Sequence, residues 1–191
     1  MRIAVGLLGL GLTLTACSGS GTPPAAPTVT VTSPFPVAPT ADPATLSWVD
    51  GFCSAVNGYR LRTNAETEPP GTGPTTVAEA QKALSAQLGG IATRTGEVVD
   101  KLAALPPAPE PLAETVRTAF AAKFTTSRDR ASSAKTQLDQ AKPGDPESQN
   151  PASDALKWAQ TNLDGTYDPL TPLAQSTELM SAAASAPNCK T

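Results

Sequence analysis

The chain has 191 residues, 14 basic against 17 acidic side chains, no histidine, three cysteines, 20 prolines and eight aromatic residues (four Phe, two Trp, two Tyr). Without histidine there is no Ser-His-Asp or Cys-His triad, no imidazole metal ligand and no ordinary near-neutral general base. The net charge of −3 and the few aromatics argue against a nucleic-acid surface, and the length suits one domain with appendages.

Met1-Arg2-Ile3 opens the chain, an apolar run follows from Ala4 to Leu14, and Thr15-Ala16 precede Cys17. A short cationic start, an apolar centre and small residues before a cut are the parts of a secretory signal, too short to span a membrane as a mature helix. The quartet Leu14-Thr15-Ala16-Cys17 resembles the bacterial lipobox. That resemblance implies diacylglycerol on the Cys17 thiol and cleavage before it, so residues 1–16 are expected to be a lipoprotein signal peptide. Two or three acyl chains, at about 0.8 kcal/mol per buried CH₂, anchor a protein stably where one does not.

From residue 17 to 42 the chain turns to Ser, Gly, Thr, Ala and Pro, including Pro23, Pro24, Pro27, Pro34, Pro36 and Pro39. Such a segment cannot bury enough apolar surface to offset its ordering entropy, and a disordered tether is expected. It would reach about 28 Å as a flexible coil or about 75 Å as polyproline II. Thr22, Thr28, Thr30, Thr32 and Thr40 would suit O-glycosylation, although a plain spacer is the simpler reading.

The domain is expected over residues 43–191. Asp42-Pro43 is an N-cap followed by a first-turn proline, opening a helix that runs toward Glu66 and stops before Glu68-Pro69-Pro70-Gly71. Leu46, Val49, Cys53 and Val56 form one stripe on it and Trp48, Phe52, Ala55 and Tyr59 an adjoining one, together about half of the circumference. Thr76-Val77-Ala78-Glu79 has capping-box spacing. Behind it Val77, Leu84, Ile91, Val98 and Leu105 recur every seven residues, with Leu88 and Leu102 between them, which predicts a packing seam. Gly89-Gly90 interrupts that seam, and a kink or a close helix approach would account for the pair.

A third helix is predicted after Pro109-Glu110-Pro111, with Leu112, Val116, Ala119, Phe120, Phe124, Ala131, Ala134 and Leu138 on its apolar side. An exposed loop is expected from Pro143 to Pro151, then a helix from about Ser153 with Leu156, Ala159 and Leu163 inward and Trp158 partly exposed. It should break at Gly165 and resume near Asp168-Pro169 toward Pro187-Asn188-Cys189. No period-two alternation follows the tether. The expected fold is all-α, a four-helix up-down-up-down bundle with a broken fourth helix. With Cys17 assigned to lipid, Cys53 and Cys189 remain as the pair that oxidises outside the cytoplasm, closing that bundle.

Chemistry is sparse. The carboxylate pairs Glu97/Asp100 and Glu110/Glu114 would need burial and a raised pKa to serve acid–base catalysis, and beside lysines and arginines they read as solvated helix faces. Asp145-Pro146-Glu147 lacks the glycine and terminal glutamate of an EF-hand, and neither a phosphate loop nor a nucleophile elbow occurs. No enzyme activity, cofactor, metal or nucleic-acid partner is expected. The third helix carries Arg117, Lys123, Arg128, Arg130, Lys135 and Lys142, a mild basic excess that most simply faces water and could otherwise meet an anionic envelope polymer or lipid. The stripe of Trp48, Phe52 and Tyr59 is the candidate contact with a ligand or partner, because aromatic side chains dominate binding hot spots. On that reading Trp48 should be the most exposed of the three and Phe52 the most buried.

The lipobox, the Thr/Pro tether, Trp48-Val49-Asp50-Gly51-Phe52-Cys53, the Leu105-Pro106-Pro107 break and the Pro187-Asn188-Cys189 end together resemble the small exported lipoproteins of high-GC actinobacteria. The resemblance implies attachment to the extracytoplasmic face of the cell membrane through Cys17, and it transfers no active site. Two functions follow as expectations: a non-enzymatic interaction module of the cell envelope, or a carrier for an apolar ligand such as a lipid. A filled core behind the aromatic stripe favours the first, and a cavity there the second.

Overall fold

A computed structural model describes residues 41–66, 73–163 and 168–190. The signal segment, the tether up to residue 40 with Cys17, the Pro69-Pro70 stop and Gly165 lie outside the described residues. Within them the chain is helical: α1 (Pro43–Glu66), α2 (Val77–Ala103), α3 (Pro111–Gln140), α4 (Gln149–Leu163) and α5 (Thr177–Ser185), with single 3-10 turns at Pro146–Ser148, Thr171–Leu173 and Pro187–Cys189.

The helix starts follow local chemistry. Asp42 Oδ2 accepts from the Ala44 and Thr45 amides, each at 3.0 Å, so an aspartate cap satisfies donors that the first turn leaves unpaired. At α2 the expected capping box is present: the Thr76 hydroxyl accepts from the Glu79 amide and the Glu79 carboxylate from the Thr76 amide. Pro111 occupies the first turn of α3, where a missing N–H costs nothing. Helix α4 begins at Gln149, four residues before the expected start, because Pro151 falls in its first turn rather than in the loop. The last stretch does not resume at Asp168. It makes a 3-10 turn and restarts as α5 behind the Ser176 cap, whose hydroxyl accepts from the Leu179 amide at 3.2 Å.

Adjacent helices α1 and α2 run antiparallel, since Arg62 pairs with Glu97 while Glu66 pairs with Arg94. Likewise Gly89 of α2 faces the Lys135 stem and Gly96 the Arg128 stem of α3. Helix α4 packs on α3, and α5 with the final 3-10 turn packs on α1.

The buried column of α2 differs from the expected one. Leu88, Thr95, Val98 and Leu102 are its deepest members, joined by Gln81, while Val77 is 37% exposed and Leu84, Ile91 and Leu105 lie half-buried. Two polar residues hold core positions because their hydrogen bonds are made within the fold, one locally and one across it. Thr95 Oγ1 donates to the Ile91 carbonyl at 2.7 Å. Gln81 Nε2 reaches the Lys142 carbonyl and Ser148 Oγ at 3.2 and 2.7 Å, and its Oε1 accepts from the Gly144 amide at 2.8 Å. That clamp ties the α3–α4 connection to α2, and Gly144, at φ +84°, makes the turn that a side chain would strain. On α3 the column is Ala113, Val116, Phe120, Phe124, Ser127, Ala131, Ala134 and Leu138; Ala119, expected inward, is exposed.

The core has two parts. One gathers α1, the end of α2, the start of α3, Leu163 of α4 and Leu179, Ala182 and Ala183 of α5. The other joins Leu88, Ala131, Ala134, Leu138, Ala152 and Ala155, where α2, α3 and α4 meet without α1.

Candidate functional site

Helix α1 is buried on more than one face because α2 covers one side while α5 and the last 3-10 turn cover another. Both apolar stripes read from its sequence are therefore internal. Trp48 and Phe52 are wholly buried and Tyr59 is 7% exposed, which reverses the expectation that Trp48 would be the most accessible. Trp48 stacks on Phe52 with centroids 5.4 Å apart, Phe52 meets the Phe120 ring edge-on at 5.1 Å, and Tyr59 meets Phe124 at 5.2 Å. The rings of Trp48 and Phe52 are packing. Of the three, Tyr59 alone lines a cleft.

The C-terminal end is clasped onto α1. Cys53 and Cys189 form a disulfide with Cα atoms 5.1 Å apart. Beside it Asp50 accepts from the Asn188 amide and side chain at 2.9 and 2.8 Å, and Asn57 Nδ2 donates to the Asn188 carbonyl at 2.6 Å. Gly51 lets α1 approach the end of α2, since a Cβ there would lie 2.7 Å from Leu105 Cδ2.

Tyr59 opens onto a cleft of about 900 Å³ bounded by α1, α2 and α4. The cleft has a geometric origin. Helix α1 ends at Glu66, beside Arg94 of α2, so the earlier turns of α2 lose their α1 neighbour while α4 stands across the gap. Ile91, Leu156, Ala159 and Leu163 supply its apolar surface; Thr63, Gln87, Gln160, Glu66 and Arg94 supply the polar remainder. Gly90 belongs to the wall, and a Cβ on it would sit 2.9 Å from Arg94 Nη1, so glycine makes room for the guanidinium to fold back along α2.

An ion-pair chain closes that end of α1. Arg62 binds Glu97 and, at 2.6 Å, Glu66, whose second oxygen binds Arg94. The hydrogen bond from Arg62, then that from Arg94, holds the Glu66 carboxyl below the ordinary glutamate range despite desolvation. Arg94 is only 12% exposed, and its Nε is buried without a hydrogen-bond partner. A smaller cavity of about 60 Å³ lies behind it, between Gly58 and Lys101.

The carboxylates singled out in sequence do not converge on this cleft. Glu97 is half of the Arg62 pair, and Glu114 binds Arg117, whose hydrogen bond lowers its pKa. Asp139 and Asp168 are lowered as well, first by hydrogen bonds from Lys135 and Thr171 respectively. Downward shifts keep these groups charged, the opposite of what a general acid needs. Three of the six basic side chains read for this helix are paired locally: Arg117 with Glu114, Arg128 with Asp129, Lys135 with Asp139. Arg130 lies 4.5 Å over the ring of half-buried Trp158, a cation–π contact. Among the described residues no group of three His, Cys, Asp or Glu side chains is placed to hold a metal, and no helix is long and apolar enough to cross a membrane.

Sequence reasoning singled out Tyr59 and the Gly89-Gly90 pair but missed Arg94, which follows Gly90 by one helical turn. No family model matches the chain, and no curated protein or solved structure is similar to it.

Proposed function

We propose that this chain is a lipoprotein anchored through Cys17 to the extracytoplasmic face of the cell membrane. Its helical domain would serve as a non-enzymatic interaction module of the envelope. In this reading the described helices make an up-down-up-down bundle whose fourth segment is divided into α4 and α5, presented on the residue 17–42 tether. One observation carries the anchoring: of three cysteines, Cys53 and Cys189 take each other. The third, Cys17, stands directly behind an apolar run in Leu14-Thr15-Ala16-Cys17. A domain closed by a disulfide suits an oxidising compartment. Metabolic labelling with an alkyne fatty acid tests it: the wild type should be labelled and Cys17→Ala should not, and equal labelling would refute the anchor.

A specific observation favours the carrier reading as well. The core behind Trp48 and Phe52 is filled, yet the cleft beyond Tyr59, at about 900 Å³, has the size of pockets that enclose small ligands, about 300–1,000 Å³. Its apolar surface on α2 and α4 suits an aliphatic chain. Solvent extraction of the protein purified from its native envelope, followed by mass spectrometry, should recover a bound lipid in stoichiometric amount. A lipid-free protein would leave the interaction module alone.

A further inference from the structure

We propose that the α1–α2–α4 cleft takes a single-chain amphiphile with an anionic head, its alkyl chain against Ile91, Leu156 and Leu163 and its carboxylate or phosphate on the Arg94 guanidinium. The inference rests on the carrier reading and adds the ligand's head group and its anchor. Three observations converge. The cleft is two-natured: Ile91, Leu156, Ala159 and Leu163 give it apolar surface, while its charged members, Glu66 and Arg94, meet at the end of α1. A ligand with one apolar and one polar end matches that division, whereas a plain hydrocarbon would strip water from Gln87, Gln160 and Arg94 without replacing its hydrogen bonds.

The second observation is the state of Arg94. A guanidinium offers five donors in a planar fork. Glu66 engages Nη1, while Nε is buried with no partner. A guanidinium matched by one carboxylate oxygen alone is costly to bury, and because Arg94 lines the cleft an oxyanion there would add charge-assisted hydrogen bonds to it. Glu66 does not make the site anionic, because Arg62 shares its charge and Glu97 in turn pairs with Arg62. Lys101, at the adjoining small cavity, leaves the surrounding balance positive.

The third is Gly90. A Cβ there would lie 2.9 Å from Arg94 Nη1, so a side chain would push the guanidinium aside and take up room in the cleft. Glycine weakens the middle of a helix by about 1 kcal/mol relative to alanine, and here its bare backbone both seats the guanidinium and keeps the cleft open.

The test uses the full lipidated chain in phosphatidylcholine vesicles, with diazirine analogues of dodecanoic acid and dodecanol as photoreactive probes and cross-linked peptides mapped by mass spectrometry. The acid should label cleft residues of α2 and α4 about tenfold more than the alcohol, the ratio expected of one charge-assisted contact. Arg94→Met should erase that ratio while leaving alcohol labelling. Gly90→Leu, which favours the helix but fills the cleft, should remove labelling by both, with circular dichroism confirming that each variant is folded. Competition by dodecanoate against dodecyl phosphate distinguishes a fatty-acid source from a phospholipid-derived one. Equal cleft labelling by acid and alcohol in the wild type overturns the head-group inference and leaves the carrier reading standing. No cleft labelling by either overturns both.

Discussion

Replacing Trp48 gives the sharpest test of how α1 is packed. Its indole is completely enclosed, so the whole side chain counts as area removed from water: about 200 Å² at about 25 cal/mol per Å² is about 5 kcal/mol. Alanine retains a methyl group, worth about 0.8 kcal/mol, and Trp48→Ala should therefore cost about 4 kcal/mol, inside the range of about 3–5 for buried large aromatics. Trp48→Phe is the informative control. It keeps a ring to stack on Phe52 and deletes Nε1, which is buried without a partner. Relief of that orphan donor, about 1–3 kcal/mol, offsets part of the lost volume, so Trp48→Phe should cost less than about 2 kcal/mol. Urea unfolding followed by far-UV circular dichroism measures both with the disulfide intact, without relying on the fluorophore being replaced. A loss below about 1 kcal/mol for Trp48→Ala would refute the enclosed position, because an accessible indole has little burial energy to lose.

Removing the bridge with Cys53→Ala and Cys189→Ser opens a loop with a sequence separation of 136; chain-entropy reasoning gives about 5 kcal/mol and engineered cases about 2–4, readable as a lower urea midpoint. Gln81→Leu deletes three hydrogen bonds to the α3–α4 connection and should speed hydrogen exchange at the Gly144 amide about tenfold with little effect on α1. Asp168 has a depressed pKa, held down first by the Thr171 hydroxyl and next by the Leu170 amide. Its contribution is therefore complete above the unfolded aspartate range and disappears as pH falls below about 4 through the folded value. Asp168→Asn should flatten the acid limb of a stability–pH profile, and an unchanged limb would contradict the role.

The readable parts of this fold were those fixed by neighbours in sequence. Asp42, Thr76 and Glu79 mark helix starts by pairing with backbone donors within a few residues and act where expected, while the third helix takes Pro111 into its first turn. The cysteine pair was legible because two thiols remained once Cys17 was assigned. Burial was harder. On α2 the column of leucines and valines drew the seam, whereas the true column contains Gln81 and Thr95, polar residues whose partners are a loop 61 residues away and the preceding helical turn. Trp48 was misjudged because a wide apolar face reads the same whether it meets a groove or a fifth helix, and α5 supplied the fifth helix. The cleft could not be read at all. It arises where α1 stops relative to α2, a matter of relative helix position that no local pattern encodes, with Gly90 its only trace.

The Cys53–Cys189 bridge also sets a load path. Tension applied between the segment before α1 and the residues after Cys189 would run through the N-terminal part of α1, cross the bridge and leave. Unwinding the ten helical residues from Pro43 to Phe52, at about 2 Å gained per residue, lengthens the molecule by only about 20 Å before the covalent link bears the force. Everything between the two cysteines, the cleft included, is a side branch that such a pull does not stretch.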